Sequence, residues 1–401
     1  MKILIYTHAF APKIGGTETY VMLLAQGLAV CQQAAGTDLQ VTVATPTQRA
    51  RMNDDSLPFH VAREPSFLGL AKLVRKADVV HVAGPCFLPM LLGLLLRKRV
   101  TAEHHGYPPV CPNGLLVYEP ENKVCPGHFM AGRYRLCLRC NAARGGWLES
   151  ALKLLLTFPR RWLTKRVHAN ICITNHVKQR LRLPRASVIY YGITDCVSLR
   201  GPELRLSGGP PQCFAYVGRL VSLKGLPLLV EAAQRLKDQG YVFCLKFIGD
   251  GPERSSLEKL VDDRGLRNRT TFAGNAKEEA LEDLVRDATA VVMPSIWEET
   301  AGLAAIEQMM RGKLVIASDI GGLGEVVGDA GLRFPAGDAA GLAECMRCVL
   351  NNPDIVGRLG SLARRRALAL FGRERMVGDY VRLYRRLTEA AEESGRARGR
   401  E

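Results

Sequence analysis

Short apolar segments with the character of β-strands alternate with amphipathic helical segments along most of this chain of 401 residues. Parallel strands need crossover helices and are then buried on both faces, so they read as nearly continuous apolar runs. The alternation therefore predicts an α/β fold built from doubly wound parallel sheets. The predicted strands lie at 2–8, 39–45, 77–84, 99–105, 169–175, 187–192, 213–218, 242–249, 270–274, 290–295 and 313–318.

One segment rich in Gly, Pro and Ser, RGPELRLSGGPPQ at 200–212, breaks this alternation. The strands and helices restart after it, and a chain of this length commonly forms two domains. We therefore predict an N-terminal domain at 1–200, a linker at 201–212 and a C-terminal domain at 213–375. The two Rossmann-like sheets are expected to face a central cleft, because open α/β sheets bind ligands at the carboxyl ends of their strands.

Nothing in the sequence predicts a segment that crosses a membrane. The longest apolar run, at 86–96, is shorter than the roughly 20 residues that a spanning helix needs. The N-terminal stretch MKILIYTHAF has the pattern of a first strand and not of a signal peptide. We therefore expect a cytoplasmic protein whose 12 cysteines stay mostly reduced.

The net charge of +16 is concentrated in one part of the N-terminal half. Residues 144–182 contain nine basic side chains and one acidic side chain, Glu149. Nucleic acid, an anionic membrane surface and an acidic small substrate are all candidate partners of such a chain. Aromatic residues that could stack on bases are sparse, so we expect no nucleic-acid partner.

Within this basic region, 147–167 has an amphipathic helical pattern with one interruption at Pro159. Basic amphipathic helices of this kind are typical of proteins that lie on a membrane surface. The alternative is a surface helix that packs its apolar side on the core and exposes its basic side to solvent. The predicted polar side holds Lys153, Thr157, Arg160 or Arg161, and Thr164 or Lys165, opposite Leu152, Leu155, Leu156, Trp162 and Leu163.

Five loops that follow predicted strands carry glycines or charged residues. Gly15 and Gly16 form a turn that lets backbone N–H groups approach a phosphate, and a plain tight turn has the same pattern. Arg219 and Lys224 either hold a pyrophosphate through charge-assisted hydrogen bonds or are ordinary surface cations. The loops are APKIGGTET at 11–19, VGRLVSLKG at 217–225, IGDGPER at 248–254, PSIWEETAGLAAIE at 294–307 and SDIGGLGEVV at 318–327.

The fourth loop holds three carboxylates, Glu298, Glu299 and Glu307, around Gly302. Acidic side chains are common at a helix N-terminus, because the exposed N–H groups there favour negative charge. A simple interpretation is therefore that Glu298 and Glu299 cap the helix and that Glu307 lies on a solvated face. Whether these carboxylates also bind a ligand depends on the other motifs.

Taken together, the motifs resemble the GT-B family of retaining, nucleotide-sugar-dependent glycosyltransferases known as family 4. The resemblance covers nearly the whole chain and is strongest at 213–330. It implies a UDP-, GDP- or ADP-sugar donor, front-face attack without an agreed protein nucleophile, and no divalent metal in catalysis. The motifs that carry it are GGTE at 15–18, GRL…KG at 218–225, GDGPE at 249–253, Glu299 and Glu307 with seven residues between them, and GGLGEVV at 321–327.

The resemblance also implies roles for individual residues. Arg219 and Lys224 would hold the diphosphate of the donor and stabilise it as a leaving group. Glu307 would accept hydrogen bonds from the ribose and Glu299 from the sugar, since ionised carboxylates only accept. His105, or His104 in its place, would reach the donor sugar from the N-terminal domain, unless it is a structural histidine. The remaining donor-binding set is Gly15, Gly16, Gly249, Gly251 and the backbone of Ala301, Gly302 and Leu303, although many relatives have an aromatic residue where Ala301 stands.

An insertion at 111–140 contains four of the cysteines, Cys111, Cys125, Cys137 and Cys140. A Cys-x-x-Cys pair that closes a loop rich in Gly and Pro predicts a structural zinc site with four thiolates, which leaves no position open for catalysis. Free thiols or an iron–sulfur cluster are the alternatives. Similar insertions occur in some bacterial members of the family that assemble polysaccharides.

The sequence therefore predicts a glycosyltransferase that moves a hexose-type sugar to a glycan or lipid-linked acceptor in polysaccharide or glycolipid biosynthesis. A lipid-linked acceptor at the inner face of the cytoplasmic membrane would account for the basic helix. The alternatives are another GT-B nucleotide-sugar enzyme, such as an epimerase or a phosphorylase, and a non-catalytic nucleotide- or glycan-binding module. As in the family, an amphipathic C-terminal helix at 376–393 is expected to cross back to the N-terminal domain, and 394–401 is expected to be disordered.

Overall fold

The computed structural model describes residues 1–13, 15–35, 39–49, 53–195, 212–276 and 278–398. The chain forms two compact units. Unit 1 comprises Met1–Glu121, Cys125–Thr194 and the described residues from Phe371 onward, and unit 2 comprises Asn122–Val124 and Asp195–Leu370. Most of the predicted linker at 201–212 lies outside the described residues.

Strands and helices alternate as predicted. The strands are β1 (Lys2–Thr7), β2 (Gln40–Thr45), β3 (His60–Arg63), β4 (Val79–Ala83), β5 (Arg99–His104), β6 (Val117–Tyr118), β7 (Lys123–Val124), β8 (Ala169–Cys172), β9 (Ala186–Val188), β10 (Gln212–Val217), β11 (Phe243–Ile248), β12 (Thr270–Gly274), β13 (Ala288–Met293), β14 (Leu314–Ser318) and β15 (Leu332–Phe334). The helices are α1 (Gly16–Ala35), α2 (Phe67–Lys76), α3 (Phe87–Leu95), α4 (Tyr134–Thr164), α5 (Asn175–Leu181), α6 (Leu226–Asp238), α7 (Arg254–Asp263), α8 (Glu278–Arg286), α9 (Leu303–Met310), α10 (Gly321–Val327), α11 (Ala339–Asn351), α12 (Asp354–Phe371) and α13 (Arg373–Arg398).

Each unit is built on one parallel sheet. In unit 1 the strand order is β3-β2-β1-β4-β5-β8-β9, and in unit 2 it is β12-β11-β10-β13-β14-β15. Every residue of β4, β13 and β14 is buried, as expected of central strands that are covered by helices on both faces. The predicted α/β class with two doubly wound, Rossmann-like sheets is therefore confirmed.

The direction of winding reverses once in each sheet. In unit 2 the reversal falls between β10 and β13, and in unit 1 it falls between β1 and β4. Loops that leave the carboxyl ends of these neighbouring strands diverge to opposite sides of the sheet and open a crevice, which is where ligands bind in such folds. The positions of the two crevices follow from topology alone.

Helix α4 is interrupted at a different residue from the one predicted. Gly146 has φ 77° and ψ 171°, so α4 consists of two helical segments that meet there. A positive φ of this size carries little cost for glycine because it has no Cβ atom. Pro159 lies inside the second segment, residues 147–164, without ending it, so the predicted interruption at Pro159 is wrong.

Helix α13 is longer than predicted. It runs from Arg373 to Arg398, whereas the sequence analysis placed a helix at 376–393 and disorder at 394–401. Residues 394–398 are therefore helical, and 399–401 lie outside the described residues. No described helix is both long enough and apolar enough to span a bilayer.

A buried hydrogen-bond chain ties α13 to the sheet of unit 1. The hydroxyl of Tyr20 donates to the hydroxyl of Tyr380 at 2.6 Å, and Tyr380 donates to Oε1 of Glu103 at 2.7 Å. None of the three side chains is more than 3% exposed. Since a buried carboxylate must be hydrogen-bonded to stay ionised, Glu103 depends on this contact from the C-terminal helix.

We predict that Tyr380→Phe lowers the free energy of unfolding by about 1–3 kcal/mol, because a buried hydrogen bond to a charged group is lost. Urea unfolding followed by circular dichroism measures the change. Tyr134→Phe is the matched control, since Tyr134 is 40% exposed and its hydroxyl forms no hydrogen bond to another described residue. Equal effects of the two substitutions would contradict the anchoring role of Tyr380.

Candidate active site

The predicted site residues of unit 2 lie in loops at the carboxyl ends of its strands. Arg219 and Lys224 follow β10, and the segment with Glu299 follows β13. Because β10 and β13 are hydrogen-bonded neighbours at the reversal of winding, both loops open into the same crevice. Sequence order separates these residues by about 80 positions, and the sheet topology brings them together.

An ion pair joins the two loops. Nζ of Lys224 lies 2.9 Å from Oε1 of Glu299, and the hydroxyl of Ser295 donates to the same oxygen. The Glu299 side chain is only 8% exposed, whereas that of Lys224 is 26% exposed. Glu299 is therefore the buried partner, and the ammonium of Lys224 is still reachable from the crevice.

Arg219 differs from Lys224 in having no ion-pair partner among the described residues. Its side chain is exposed, and its backbone carbonyl accepts a hydrogen bond from the hydroxyl of Tyr216 at 2.8 Å. This bond fixes the backbone of the loop and leaves the guanidinium available. A planar guanidinium with five donors suits bidentate binding of phosphate or carboxylate oxygens.

The third loop, after β13, ends in a helix without a side-chain cap. Gly302 is the N-cap residue of α9, with φ 76° and ψ 62°, and within the described ranges no side-chain cap accepts a hydrogen bond from the first turn. Glu299 pairs with Lys224 instead, so the simple interpretation of Glu299 as a capping charge is wrong. The uncapped first turn, with Leu303 as its first residue, keeps N–H groups and the positive end of the helix dipole available for an anion.

Glu307 is partly buried on α9 and does not lie on a solvated face. Burial raises the pKa of its carboxyl above the usual value, although the charge of Arg311 opposes the shift. Within the described part of the chain, no side chain donates a hydrogen bond to this carboxylate. It is therefore an acceptor whose partner would have to come from water or a ligand.

Glycines allow the loops of unit 2 to pack backbone against backbone. A Cβ atom at Gly225 would overlap the carbonyl oxygen of Pro294, and one at Gly251 would overlap that of Leu220. A Cβ at Gly249, where φ is 140°, would overlap the carbonyl of Gly218. Packing between loops is thus a sufficient reason for glycine at 249 and 251, and the prediction that these two residues approach a ligand stays a prediction.

In unit 1 the predicted residues lie at the corresponding edge of the other sheet. Gly15 and Gly16 follow β1, and Gly16 is the first residue of α1. His105 directly follows β5, with a side chain that is 10% exposed. His104 is fully buried, and its Nε2 lies 2.9 Å from Oδ1 of Asn170. Of the two histidines, only His105 is thus accessible from this edge.

A buried carboxylate that was not predicted from the sequence lies beside His105. Oε2 of Glu103 lies 3.1 Å from Nε2 of His81 and 3.5 Å from Nε2 of His105, while Nδ1 of His105 lies 2.7 Å from the hydroxyl of Tyr191. Burial raises the pKa of Glu103, but the interactions with His105 and His81 outweigh it and lower the pKa overall. Burial lowers the pKa of His105 despite the attraction of Glu103, so we assign a neutral imidazole next to an ionised Glu103 at pH 7. An acidic residue inside an apolar strand, directly before two histidines, was the available signal.

The four cysteines of the insertion come together, but they do not form a metal site of recognisable geometry. All four are buried, and burial followed by the charges of Cys111, Cys125 and Cys140 raises the pKa of Cys137 to about 12. Sγ of Cys111 donates to Oδ1 of Asn113, and Sγ of Cys140 donates to the carbonyl of Val117, as protonated thiols do. Among the residues described, no group of three or more His, Cys, Asp or Glu could hold a metal ion. Structural zinc at these cysteines stays a prediction.

Two family models match this chain. The model described as "Glycosyltransferase Family 4" matches residues 14–195, and the model described as "Glycosyl transferases group 1" matches residues 205–366. Together they cover most of both units. The chain belongs to glycosyltransferase family 4 (group 1).

Similar proteins agree with this family 4 assignment. The Alpha-D-kanosaminyltransferase of Streptomyces kanamyceticus is 32% identical over 150 residues, which is 37% of this chain and 39% of that enzyme. The chain spans between 38% and 56% of the length of the first curated relatives that it matches.

Solved structures share the fold of this family 4 chain over nearly its full length. Sucrose-phosphate synthase from Thermosynechococcus elongatus matches with a TM-score of 0.70 and 22% identity, covering 97% of this chain and 99% of that one. Anabaena Alr3699/HepE in complex with UDP matches with a TM-score of 0.68 and 18% identity, covering 96% and 99%. The expected GT-B fold, with two Rossmann-like units, is confirmed.

We predict that Gly251→Ala destabilises unit 2 by about 1–3 kcal/mol, the usual cost of forcing an extra methyl group into a packed contact. The methyl group would overlap a backbone oxygen, which cannot rotate away. Gly378→Ala is the matched control, because only the flexible end of Arg382 lies near that position and alanine favours a helix by up to about 1 kcal/mol. Thermal unfolding of the two variants compares them, and equal stability would contradict the packing role of Gly251.

Proposed function

We propose that this chain is a retaining glycosyltransferase that transfers a hexose-type sugar from a nucleotide diphosphate sugar to a glycan or lipid-linked acceptor. The observation that carries the proposal is the ion pair between Lys224 and Glu299, which joins the loops after the neighbouring strands β10 and β13, with Arg219 in the first of these loops. Lys224 is paired with Glu299 in the segment that leads to the uncapped N-terminus of α9, and Arg219, unpaired among the described residues, lies in the same loop as Lys224. A diphosphate is the part of a donor that such a site would bind.

The two carboxylates would bind the hydroxyl groups of the donor. Glu307 is partly buried, and no described side chain donates a hydrogen bond to its carboxylate. The two hydroxyl groups of a ribose would both donate to this one carboxylate. Glu299 is held in place by Lys224 and Ser295 through one oxygen, Oε1. Its other oxygen is then available to a hydroxyl group of the sugar. UDP is bound by Anabaena Alr3699/HepE, which has the same fold, so UDP-sugars are the first donors to test, before GDP- and ADP-sugars.

Bond cleavage would separate charge along the line from sugar to phosphate. The anomeric carbon becomes positive as the C–O bond breaks, and the departing diphosphate becomes more negative. Arg219, Lys224 and the N-terminus of α9 would stabilise the diphosphate without rearranging, which is the form of electrostatic preorganisation that contributes most to many enzymes. The acceptor hydroxyl would attack the same face from which the diphosphate leaves, and the departing oxygen would take its proton.

His105 would contribute to sugar binding from unit 1. Tyr191 holds Nδ1 of its neutral imidazole, and Nε2 lies beside Glu103, so the sugar would pack against the exposed part of an uncharged ring. Retention of configuration would appear as an α-linked product from an α-linked donor in proton NMR. The acceptor would bind at unit 1, and a lipid-linked acceptor would place the protein at the inner face of the cytoplasmic membrane.

We predict that Lys224→Ala lowers kcat/KM for the nucleotide sugar by about 100- to 1000-fold, the usual loss when one preorganised donor to a developing anion is removed. Turnover with a panel of UDP-, GDP- and ADP-sugars, with donor hydrolysis as a minimal readout, measures the effect. Lys237→Ala is the control, since Nζ of Lys237 binds the carbonyls of Arg264 and Gly265 in the same unit and no other group among the described residues. Turnover of Lys224→Ala within about twofold of the control would contradict the proposal, provided that circular dichroism shows a folded protein.

Binding of the donor should depend on the ionisation of Glu307. Because burial raises its pKa, this carboxylate is protonated at a higher pH than an ordinary glutamate and then accepts fewer hydrogen bonds from ribose. We predict that the affinity of the wild type for a nucleotide sugar falls as the pH falls towards this raised pKa. Glu307→Gln should bind more weakly at pH 7 and lose the dependence on pH.

Calorimetry between neutral and acidic pH makes the comparison. An intact nucleotide sugar is the right ligand, because the terminal phosphate of a free nucleoside diphosphate itself titrates near about pH 6. A parallel decline of wild type and Glu307→Gln would assign the pH dependence to another group.

A further inference from the structure

The second segment of α4 is oriented against the usual rule for a surface helix. Its small polar residues Ser150, Thr157 and Thr164 are fully buried, while Leu148 is 88% exposed and Leu155 is 65% exposed. The buried hydroxyl groups bind backbone carbonyls, Ser150 that of Leu138 and Thr157 that of Lys153. A surface helix normally packs its apolar side inward, so the interpretation of a core-packed helix with a solvated basic side is wrong.

The exposed apolar residues form a stripe along this segment. Leu148, Leu152, Leu155 and Trp162 recur at spacings that place them on one helical face, and each is at least half exposed. Trp147, next to Leu148, is 67% exposed. An apolar stripe of this length on the outside of a protein normally marks a surface that binds something.

Neighbouring helices extend the stripe into a wider surface. Helix α3 contacts both α2 and α4, and the guanidinium of Arg160 lies 5.4 Å from the centre of the Phe87 ring. Of the seventeen large hydrophobic side chains that are exposed in the described residues, thirteen lie on these three helices. Leu91 and Leu95 on α3 and Leu68 on α2 are examples. We call the exposed apolar residues of α2, α3 and the second segment of α4 the docking face.

The charges on these helices are almost all positive. Helix α2 has no acidic residue and exposes Lys72, Arg75 and Lys76, and the second segment of α4 is followed by exposed Lys165 and Arg166. The one acid of that segment, Glu149, is paired with Lys153 at 2.6 Å. Arg166 also lies over the ring of Trp162 at 3.6 Å, an arrangement that keeps an aromatic ring and a cation at the same level.

We propose that the docking face binds the surface of an anionic phospholipid bilayer. Exposed leucines and tryptophans can enter the boundary between head groups and acyl chains, while the surrounding lysines and arginines pair with lipid phosphates. A second copy of this chain is a poorer partner, because it would bring the same positive charges against each other in a chain of net charge +16. The docking face would thus hold unit 1 on the membrane, where a lipid-linked acceptor is found.

Vesicle flotation of the full-length chain tests this proposal. We expect the protein to float with vesicles of phosphatidylcholine that contain phosphatidylglycerol, to bind vesicles of phosphatidylcholine alone much more weakly, and to dissociate as salt is raised. Trp147 and Trp162 are two of the three tryptophans, so tryptophan emission should shift to the blue on binding. Because the readout needs no donor, Lys224→Ala should bind vesicles like the wild type, which separates this proposal from the proposed chemistry.

The double substitution Leu148→Glu and Leu155→Glu should weaken binding to anionic vesicles by at least about tenfold, since it removes apolar area and adds negative charge. Lys165→Ala with Arg166→Ala should weaken it by about fivefold for each cation. Val242→Glu is the matched control, because Val242 is 67% exposed in unit 2 and lies outside the docking face. All five substituted positions are on the surface, and unchanged circular dichroism verifies that the three variants are folded.

Two results would overturn the proposal. One is vesicle binding of the Leu148 and Leu155 variant that equals that of Val242→Glu. The other is a dimer in sedimentation velocity that the same variant converts to a monomer, without vesicle binding by the wild type, which would make a second copy the partner of the docking face.

Discussion

The candidate site depends on one constraint, which is that the backbones of the loops of unit 2 pack directly against one another. Gly225 packs against Pro294 and Gly251 against Leu220, so the loops after β10, β11 and β13 are held in contact without side chains between them. Lys224 is the residue before one of these glycines. Its ion pair with Glu299 therefore joins two loops whose distance is already set by the backbone. A site for a flat, charged ligand needs this precision, because its hydrogen bonds tolerate only small displacements.

The two units place the charged side chains at the carboxyl ends of their strands in opposite environments. Unit 2 leaves Arg219 exposed and Lys224 partly exposed at the edge of its sheet, which suits an anion that arrives from solution. Unit 1 instead buries an anion, Glu103, and surrounds it with His81, His105 and Tyr380. Such a buried carboxylate is stable only while its partners stay in place, so it fixes the position of His105 and the contact with α13. The first arrangement is suited to binding, and the second is suited to holding a neutral side chain still.

On the second segment of α4 in unit 1, the usual distribution of polar and apolar side chains is reversed. Leu148 and Leu155 are exposed while Ser150 and Thr157 are buried, an arrangement that contributes nothing to the core and exposes apolar area to water. A helix with hydroxyl groups on its inner side can still pack, because these hydroxyl groups donate hydrogen bonds to backbone carbonyls of α4 itself. The outer side is then free to be selected for another contact. The five strand-end motifs that carry the resemblance to family 4 do not include this face.

The sequence by itself determined the α/β class, the two sheets and the loops that carry Arg219, Lys224, Glu299 and His105, because strand and helix periodicity and glycine placement are local properties. It did not determine that Glu299 pairs with Lys224 and does not cap α9, that α4 bends at Gly146 and not at Pro159, or that Glu103 is buried beside His105. Nor could it decide which side of the second segment of α4 faces outward. Periodicity defines two faces of a helix but not their direction, which depends on what the rest of the chain packs against them. Contacts between residues far apart in sequence depend in the same way on which strands become neighbours, and this order exists only in the folded sheet.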